Sequence, residues 1–424
     1  MHIIICIILL FLVLYLLVRF MMLFYSMYYN RKALQYDLYQ LIHQNNLQTM
    51  LYGGSSKKSK SKNYSSSPFL KSFSLWNGER KVDLIHLDDS DINLTLPQVE
   101  TEIEYISKNW NKFEKNYGKI IAIIHPFDRI KSLITMSSPL TKDSTFHPTN
   151  AFMKMYEALL ILKEIGWYNK QKYIHQFDVA AAPGMFLVSG QKFAEQDGKE
   201  YDQRSTSLIL KDNNEYFQDQ FGIFAKYPDK FINANLLSKD DILNKLMTLK
   251  FEPNLVSGDV GEIHNFDTSQ EKQHHRVQFG QAYVSVKKCK KGGCVFLKMY
   301  SHIYPTSIIL LNKIRKCFKE FYIIKPFTSR IVNHESYLLG IYRNDVELDM
   351  EPVLEKEYTE RDINTDELKK LQKVCWKFHY MLARVGNNKI IEANDCVNNH
   401  KKYVDNDFEY IDYLINLFKG LSEV

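Results

Sequence analysis

The sequence predicts an α/β protein built on a mainly parallel sheet with helices on both faces. Three observations carry that expectation. Short apolar runs alternate with helical patterns through the middle of the chain, the signature of repeated β-α units. Those runs are bounded by turn-forming residues, as strands are. The last two follow one another without a helix between them, which calls for an antiparallel ending. The chain has 424 residues, of which 45% are hydrophobic and 25% charged. That composition excludes a chain disordered throughout and allows one large or two ordinary domains.

Taken in order, residues 3–18 contain no charge, and after Arg19 the apolar character resumes through Tyr25. The stretch is about as long as a bilayer-spanning helix, so residues 1–29 form a candidate anchor with membrane contact through 3–25. It lacks a basic amino-terminal flank and a small-residue cleavage site, which argues against a removable signal peptide. Arg31, Lys32, Lys57, Lys58, Lys60 and Lys62 follow it and would hold the remainder on the cytosolic side. A helix buried against protein is the alternative. Residues 30–108 form an amino-terminal extension, and 53–68 within it are a Gly/Ser/Lys tract that reads as a tether. Strands are expected at 173–179, 207–210, 254–257, 293–299, 321–324 and 336–342. Helices are expected at 185–194, 240–249, 270–288 and 306–318. Beyond 345, Leu368, Leu371, Val374, Cys375, Phe378, Met381 and Leu382 recur at helical spacing, so 346–424 reads as a helical appendage whose stripe packs on the α/β core.

The formal charge of +6 is only mildly basic and decides little about polyanion binding. Lys287, Lys288, Lys290 and Lys291 either guide phosphates or form a solvated helix end. Cys6, Cys289, Cys294, Cys317, Cys375 and Cys396 show no disulfide framework and fit a reducing compartment. His274 and His275 with Cys289 and Cys294 do not have zinc-site spacing, and Cys294 falls in an apolar run, so no metal is expected. Trp76, Trp110, Trp167 and Trp376 read as packing anchors.

Residues 175–190, HQFDVAAAPGMFLVSG, read as strand, small-residue turn and apolar helix. Asp178, Ala180, Ala181, Ala182, Pro183 and Gly184 form a turn that lets backbone approach a ligand beside a helix amino terminus, at the strand ends where open α/β sheets bind ligands. The dinucleotide glycine fingerprint and the phosphate loop are both missing, which disfavours nicotinamide and ATP. Asp212 either accepts hydrogen bonds from a cofactor ribose or stands in a solvated turn.

Four further polar residues stand at element ends or edges: Lys154 in NAFMKMYEALLILKEIG, Asp259 in NLVSGDVG, Lys298 in GGCVFLKMY and Glu335 in KPFTSRIVNHESYLLGIYR. Together with the Asp-x-x-Ala-Ala-Pro-Gly turn, they resemble the Lys-Asp-Lys-Glu set of the FtsJ-like ribose methyltransferases, and most closely the Adrift type linked to messenger-RNA caps. The resemblance covers about 109–345. It implies a Rossmann-like methyltransferase fold, S-adenosyl-L-methionine as cofactor, RNA as partner, and methylation of a ribose 2′-hydroxyl on cap nucleotides. It places the cofactor on Asp178, Ala180, Ala181, Ala182, Pro183, Gly184, Asp212, Asn235 and Asp259. Asn235 departs from the family pattern, which commonly has an acidic residue near the adenine. Viral members of the family imply cytoplasmic assembly sites and particles as locations.

The chemistry explains the residue types. A ribose hydroxyl has a high pKa and benefits from a base during in-line attack on a methyl group. Lys298 is the candidate base. Burial and the neighbouring Lys154 would lower its pKa, while Asp259 and Glu335 would oppose that shift and orient the two ammonium groups. A non-catalytic RNA-binding or membrane-associated scaffold on the same fold is the competing expectation.

Overall fold

The computed structural model describes residues 94–125, 145–208, 219, 222–261, 269–326 and 328–399, with two short strand pieces at 74–75 and 136–137. The anchor candidate, the tether, Asp212 and residues 400–424 lie outside the described residues. Among the described residues, no helix is long and apolar enough to cross a membrane.

Among the described residues, seven strands of three residues or more form the sheet: β1 (Tyr173–Val179), β2 (Glu200–Ser207), β3 (Phe231–Asn233), β4 (Leu255–Gly258), β5 (Cys294–Met299), β6 (Phe318–Ile324) and β7 (Ser336–Arg343). Their order is β3-β2-β1-β4-β5-β7-β6, with Ser74–Leu75 added antiparallel at the β6 edge. The pairs from β3 to β5 are parallel, and β7 is antiparallel to both β5 and β6. The mainly parallel sheet with an antiparallel end is thus as expected. Chain order reverses at β1, leaving a crevice between β1 and β4 outside their carboxyl ends, the place where open α/β sheets take ligands.

Among the described residues, the helices of eight residues or more are α1 (Leu96–Ile103), α2 (Tyr117–Ile124), α3 (Asn150–Glu164), α4 (Met185–Gln196), α5 (Gln270–Lys288), α6 (Pro305–Arg315) and α7 (Asp366–Asn398). Side chains alternate across a strand, so each central strand feeds two cores. Cys294 and Phe296 of β5 face a core built with α3 and α4, including Phe152, Met155, Leu159 and Phe186. Val295, Leu297 and Met299 face the opposite core with α5, α6 and α7, including Ala282, Val286, Ile308 and Leu311. Leu368, Cys375, Phe378 and Leu382 of α7 belong to that second core, with Leu371 and Val374 packed against it.

Several boundaries differ from expectation. The second strand is Glu200–Ser207, seven residues ahead of the expected start at 207, and residues 209–210 of the expected strand lie outside the described residues. Its sequence, EYDQRSTS, carries no apolar alternation, yet every residue from Glu200 to Thr206 is in register with β1. Tertiary contacts satisfy its polar groups: the Tyr201 hydroxyl lies 3.0 Å from Gln176 Oε1, and Lys230 Nζ lies 2.7 Å from Asp202 Oδ1. The expected helix at 240–249 contains a π-helical stretch, Asp241–Leu246. The expected helix at 306–318 ends at Arg315, because Phe318 already opens β6. Within 346–399, only Asp366–Asn398 forms a long helix.

Two of the helical glycines, Gly280 and Gly118, make opposite demands. A Cβ on Gly280 would stand 2.1 Å from the Leu236 carbonyl oxygen, a backbone atom that cannot swing away, whereas one on Gly118 would meet nothing within 4 Å. Gly280→Ala is expected to cost about 1–3 kcal/mol by overpacking. Gly118→Ala is expected to stabilise by about 0.5–1 kcal/mol through reduced chain entropy. Denaturant unfolding of both variants checks the pair; equal effects would show that the close approach at Gly280 is wrong.

Candidate active site

Strand register alone assembles most of the site. Val179 of β1 is opposite Gly258 of β4, so Ala180 and Asp259 leave the sheet side by side. Gly258 is opposite Leu297 of β5, which puts Asp259 next to Lys298. Lys298 is opposite Tyr337 and Met299 opposite Ser336 of β7, so Glu335 arrives at the same edge. Lys154 alone comes from a helix: α3 is buried along nearly its whole first half, and Lys154 is carried inward with Phe152, Met153, Met155 and Tyr156.

The quartet resolves into two ion pairs. Lys298 Nζ is 3.2 Å from Asp259 Oδ1 and 3.4 Å from the Asp259 carbonyl oxygen. Lys154 Nζ is paired with Glu335 Oε1, both side chains being 10% exposed. Tyr337 lies between the pairs. Its hydroxyl donates to Asp259 Oδ1 at 3.0 Å, and Lys154 Nζ sits 5.6 Å from its ring centroid. The ring itself is stacked on Phe296 at 4.7 Å and 11°, which fixes its plane. Ser329 Oγ donates to Glu335 Oε1 at 2.6 Å. Gln281 of α5 joins the two strand ends, accepting from Val260 N at 3.1 Å and donating to the Lys298 carbonyl at 3.0 Å.

The electrostatics decide a balance that the sequence leaves open. Burial alone would lower the Lys298 ammonium, but Asp259, Tyr300 and Glu335 outweigh it and hold the group above the ordinary lysine range. Lys298 is therefore cationic, because the carboxylates that oppose the lowering by burial prevail. Burial would also raise the Glu335 carboxyl, yet Lys154, Lys325 and Lys298 around it hold it well below the usual carboxylate range.

At the β1 turn, Ala180 has φ 71°, and Gly184 has φ 96° as it opens α4. The left-handed φ of Gly184 favours glycine, and a Cβ there would also require the Ile223 side chain to shift, its Cδ1 lying 2.7 Å away. Asp178 is 1% exposed, and its Oδ1 has no hydrogen-bond partner. Burial foremost, then the Asp259 charge, push its carboxyl well up, against a hydrogen bond from Ser257. Asn235 is half-buried and turned onto its own loop, its Oδ1 accepting from Leu237 N at 2.9 Å. Its backbone N–H donates to Asp241 Oδ2 at 2.8 Å.

Ser329, Tyr337, Tyr300 and Gln281 were not singled out by sequence reasoning. Ser329 and Tyr337 stand in the segment quoted for Glu335, so the signal was present; Gln281, in a helix with no matching motif, had none. The basic run is not placed to guide RNA to this edge. Lys287, Lys288, Lys290 and Lys291 precede β5, at the opposite end of that strand from Lys298, and they bond Glu347, the Leu249 carbonyl, the Tyr173 hydroxyl and Asp345. Trp167 and Trp376 are packing anchors whose indoles donate to the Gly292 and Ile303 carbonyls at 2.9 and 2.8 Å. Trp110 is 39% exposed.

Residues 149–343 match the family of FtsJ-like methyltransferases. An uncharacterized protein of Acanthamoeba polyphaga mimivirus is 24% identical over 280 residues, 62% of this chain and 34% of that protein. A probable methyltransferase of African swine fever virus is 25% identical over 212 residues, 45% of this chain and 48% of that one. A cap-specific mRNA (nucleoside-2′-O-)-methyltransferase 1 of Trypanosoma cruzi is 29% identical over 105 residues, 25% of this chain and 29% of its own. The chain thus spans less than half the length of these curated relatives. The likeness to the swine fever virus protein covers part of the chain, not the whole of it.

The Lys154–Glu335 pair sets a stability test. Glu335→Gln leaves a buried ammonium without its counter-ion and is expected to cost about 3–5 kcal/mol, with Lys154→Met/Glu335→Gln recovering part of the loss. Because the folded carboxyl is depressed, its contribution is present above the ordinary carboxylate pKa of about 4.3 and is lost as pH falls through the folded value. Denaturant unfolding against pH, with and without the substitution, measures both effects. Additive losses in the double variant would mean the two side chains do not interact.

Proposed function

We propose that this chain is an S-adenosylmethionine-dependent RNA ribose 2′-O-methyltransferase acting on mRNA cap nucleotides. The observation that carries the reading is the meeting of Lys298–Asp259 and Lys154–Glu335 at one strand edge, beside the β1 turn with its orphaned Asp178 oxygen. The relatives' names support RNA as the class of substrate and the cap as its site. The viral relatives support a viral setting, with assembly sites, particles and membrane contact through residues 3–25 as parts of the same proposal.

The residues present fit the cofactor. Asp178 offers a buried acceptor oxygen, Gly184 opens the helix whose first N–H groups have no intrahelical partner, and Ala180 to Pro183 keep side chains out of the way. Asp178, Ala180, Ala181, Ala182, Pro183 and Gly184 at the end of β1 and Asp259 at the neighbouring end of β4 would line it, with Asn235 beyond β3 and Asp212, outside the described residues, completing the proposed set. The bound sulfonium supplies an electrophilic methyl group and a positive charge. Lys298 takes the proton of the ribose hydroxyl. For that its ammonium must first be deprotonated, and positive charge entering the pocket works in that direction against Asp259 and Glu335. Asp259 keeps Lys298 aimed at the crevice and is itself held by Tyr337. Lys154, fixed by Glu335, stabilises negative charge that develops on the attacking oxygen. Positioning of the hydroxyl supplies much of the remaining rate.

The test incubates the full chain with methyl-labelled cofactor and capped or uncapped RNA of one sequence, and maps the label by nuclease digestion. Label is expected in a ribose-methylated cap dinucleotide, reduced by roughly 100- to 10,000-fold in Lys298→Ala. The pH dependence of kcat/KM reports the free protein, where Lys298 is held high, so this parameter should keep rising into the alkaline range. The corresponding limb of kcat should lie at lower pH. Cofactor binding without label on any RNA would instead identify a non-catalytic RNA-binding or membrane-associated scaffold.

A further inference from the structure

The loop joining β6 to β7 carries Glu335 at its far end, and a buried cation stands at its near end. Lys325 is 3% exposed. Its Nζ donates to the Glu335 carbonyl at 2.8 Å, to the Asn333 carbonyl at 2.9 Å and to Asn333 Oδ1. An ammonium has three donors, so these three neutral oxygens saturate it. They all belong to the returning limb of the loop, so one side chain ties the two limbs together across the loop's mouth. Ser329 extends the tie, reaching Asn333 Oδ1 at 3.2 Å while it holds the Glu335 carboxylate. The tip is fastened separately: Thr328 N and Oγ1 lie 3.1 and 2.8 Å from Glu157 Oε2, and Glu157 is one turn beyond Lys154 on α3.

Burial of a cation whose contacts are all neutral oxygens is costly, and an apolar side chain of similar length would fill the same space. Burial and the Lys154 charge indeed push the Lys325 ammonium down to about 7, against the pull of Glu335. What an apolar replacement would not supply is a bond to the backbone of the residue that faces Lys154. We infer that Lys325 is a positioning residue for methyl transfer, pinning Asn333 and the Glu335 backbone so that the Glu335 carboxylate is held on Lys154. The inference rests on the proposed methyltransferase reading, and goes beyond it by assigning a role outside the quartet.

The test compares the wild-type full chain with Lys325→Met and Asn333→Ala. Steady-state methylation of capped RNA is measured across pH, and each lysine's reactivity toward acetic anhydride is followed by mass spectrometry. Lys325→Met is expected to lower kcat by up to about 100-fold, the scale of an ångström-sized misplacement, with KM for the cofactor unchanged. Acetylation of Lys154 should accelerate as Glu335 leaves it. Asn333→Ala keeps the ammonium and removes one acceptor, so it should move both readouts the same way by less, and it decides the matter if Lys325→Met does not fold. Wild-type kcat, pH profile and Lys154 reactivity in a less stable Lys325→Met would show a plain loop crosslink and overturn the inference. If the wild-type chain methylates no RNA, the functional reading fails, while the acetylation of Lys154 still decides what Lys325 holds.

Discussion

The contact on which this site depends is the buried pair between Lys154 and Glu335. Two charges removed from water are tolerated only when each satisfies the other and the remaining donors and acceptors find partners. Here the carboxylate also takes Ser329, and the ammonium faces the Tyr337 ring. The pair joins the helix that precedes the sheet to the loop that precedes its last strand. Residues nearly two hundred positions apart are thereby locked at one edge, and the electrostatics of Lys298 and Lys325 both register the same carboxylate.

Around that pair, backbone pairing does most of the positioning. Asp259, Lys298 and Tyr337 are neighbours because β4, β5 and β7 are in register, so their placement relies on ladders of hydrogen bonds rather than on flexible side chains. A one-residue slip would turn every one of these side chains to the other face. Gln281 guards the register from outside the sheet by bonding both strand ends.

Helix α7, beyond the segment matched to the family, also supports the site. A Cβ on Gly386 would come within 3.1 Å of the Ile331 carbonyl, and Ile390 and Ala393 pack with Ile331 and Val332, so the helix backs the loop that ends at Glu335. Farther along, His379 Nε2 lies 3.0 Å from His302 Nδ1, next to Ser336. Burial pushes His302 down to about 4 and holds His379 well below the ordinary imidazole range, so both imidazoles are neutral near physiological pH and the link carries no charge. The apolar stripe from Leu368 to Leu382 announced a packed helix; that its continuation would lean on the Glu335 loop was not readable from it.

What the sequence determined by itself is the part written in local signals. Short apolar runs located β1 and β5 to within a residue, helical spacing located α5, and the small-residue turn before Met185 marked the start of α4. The quoted motifs also contained every charged member of the quartet. Tertiary structure decided what local signals cannot encode. It made a strand of the polar run EYDQRSTS, because β1 and satisfied side chains replace the missing apolar pattern. It paired Lys154 with Glu335 and placed the Tyr337 side chain between that pair and Lys298–Asp259. It also set the sign of the Lys298 shift, since the balance of desolvation against nearby carboxylates depends on distances between residues far apart in the chain.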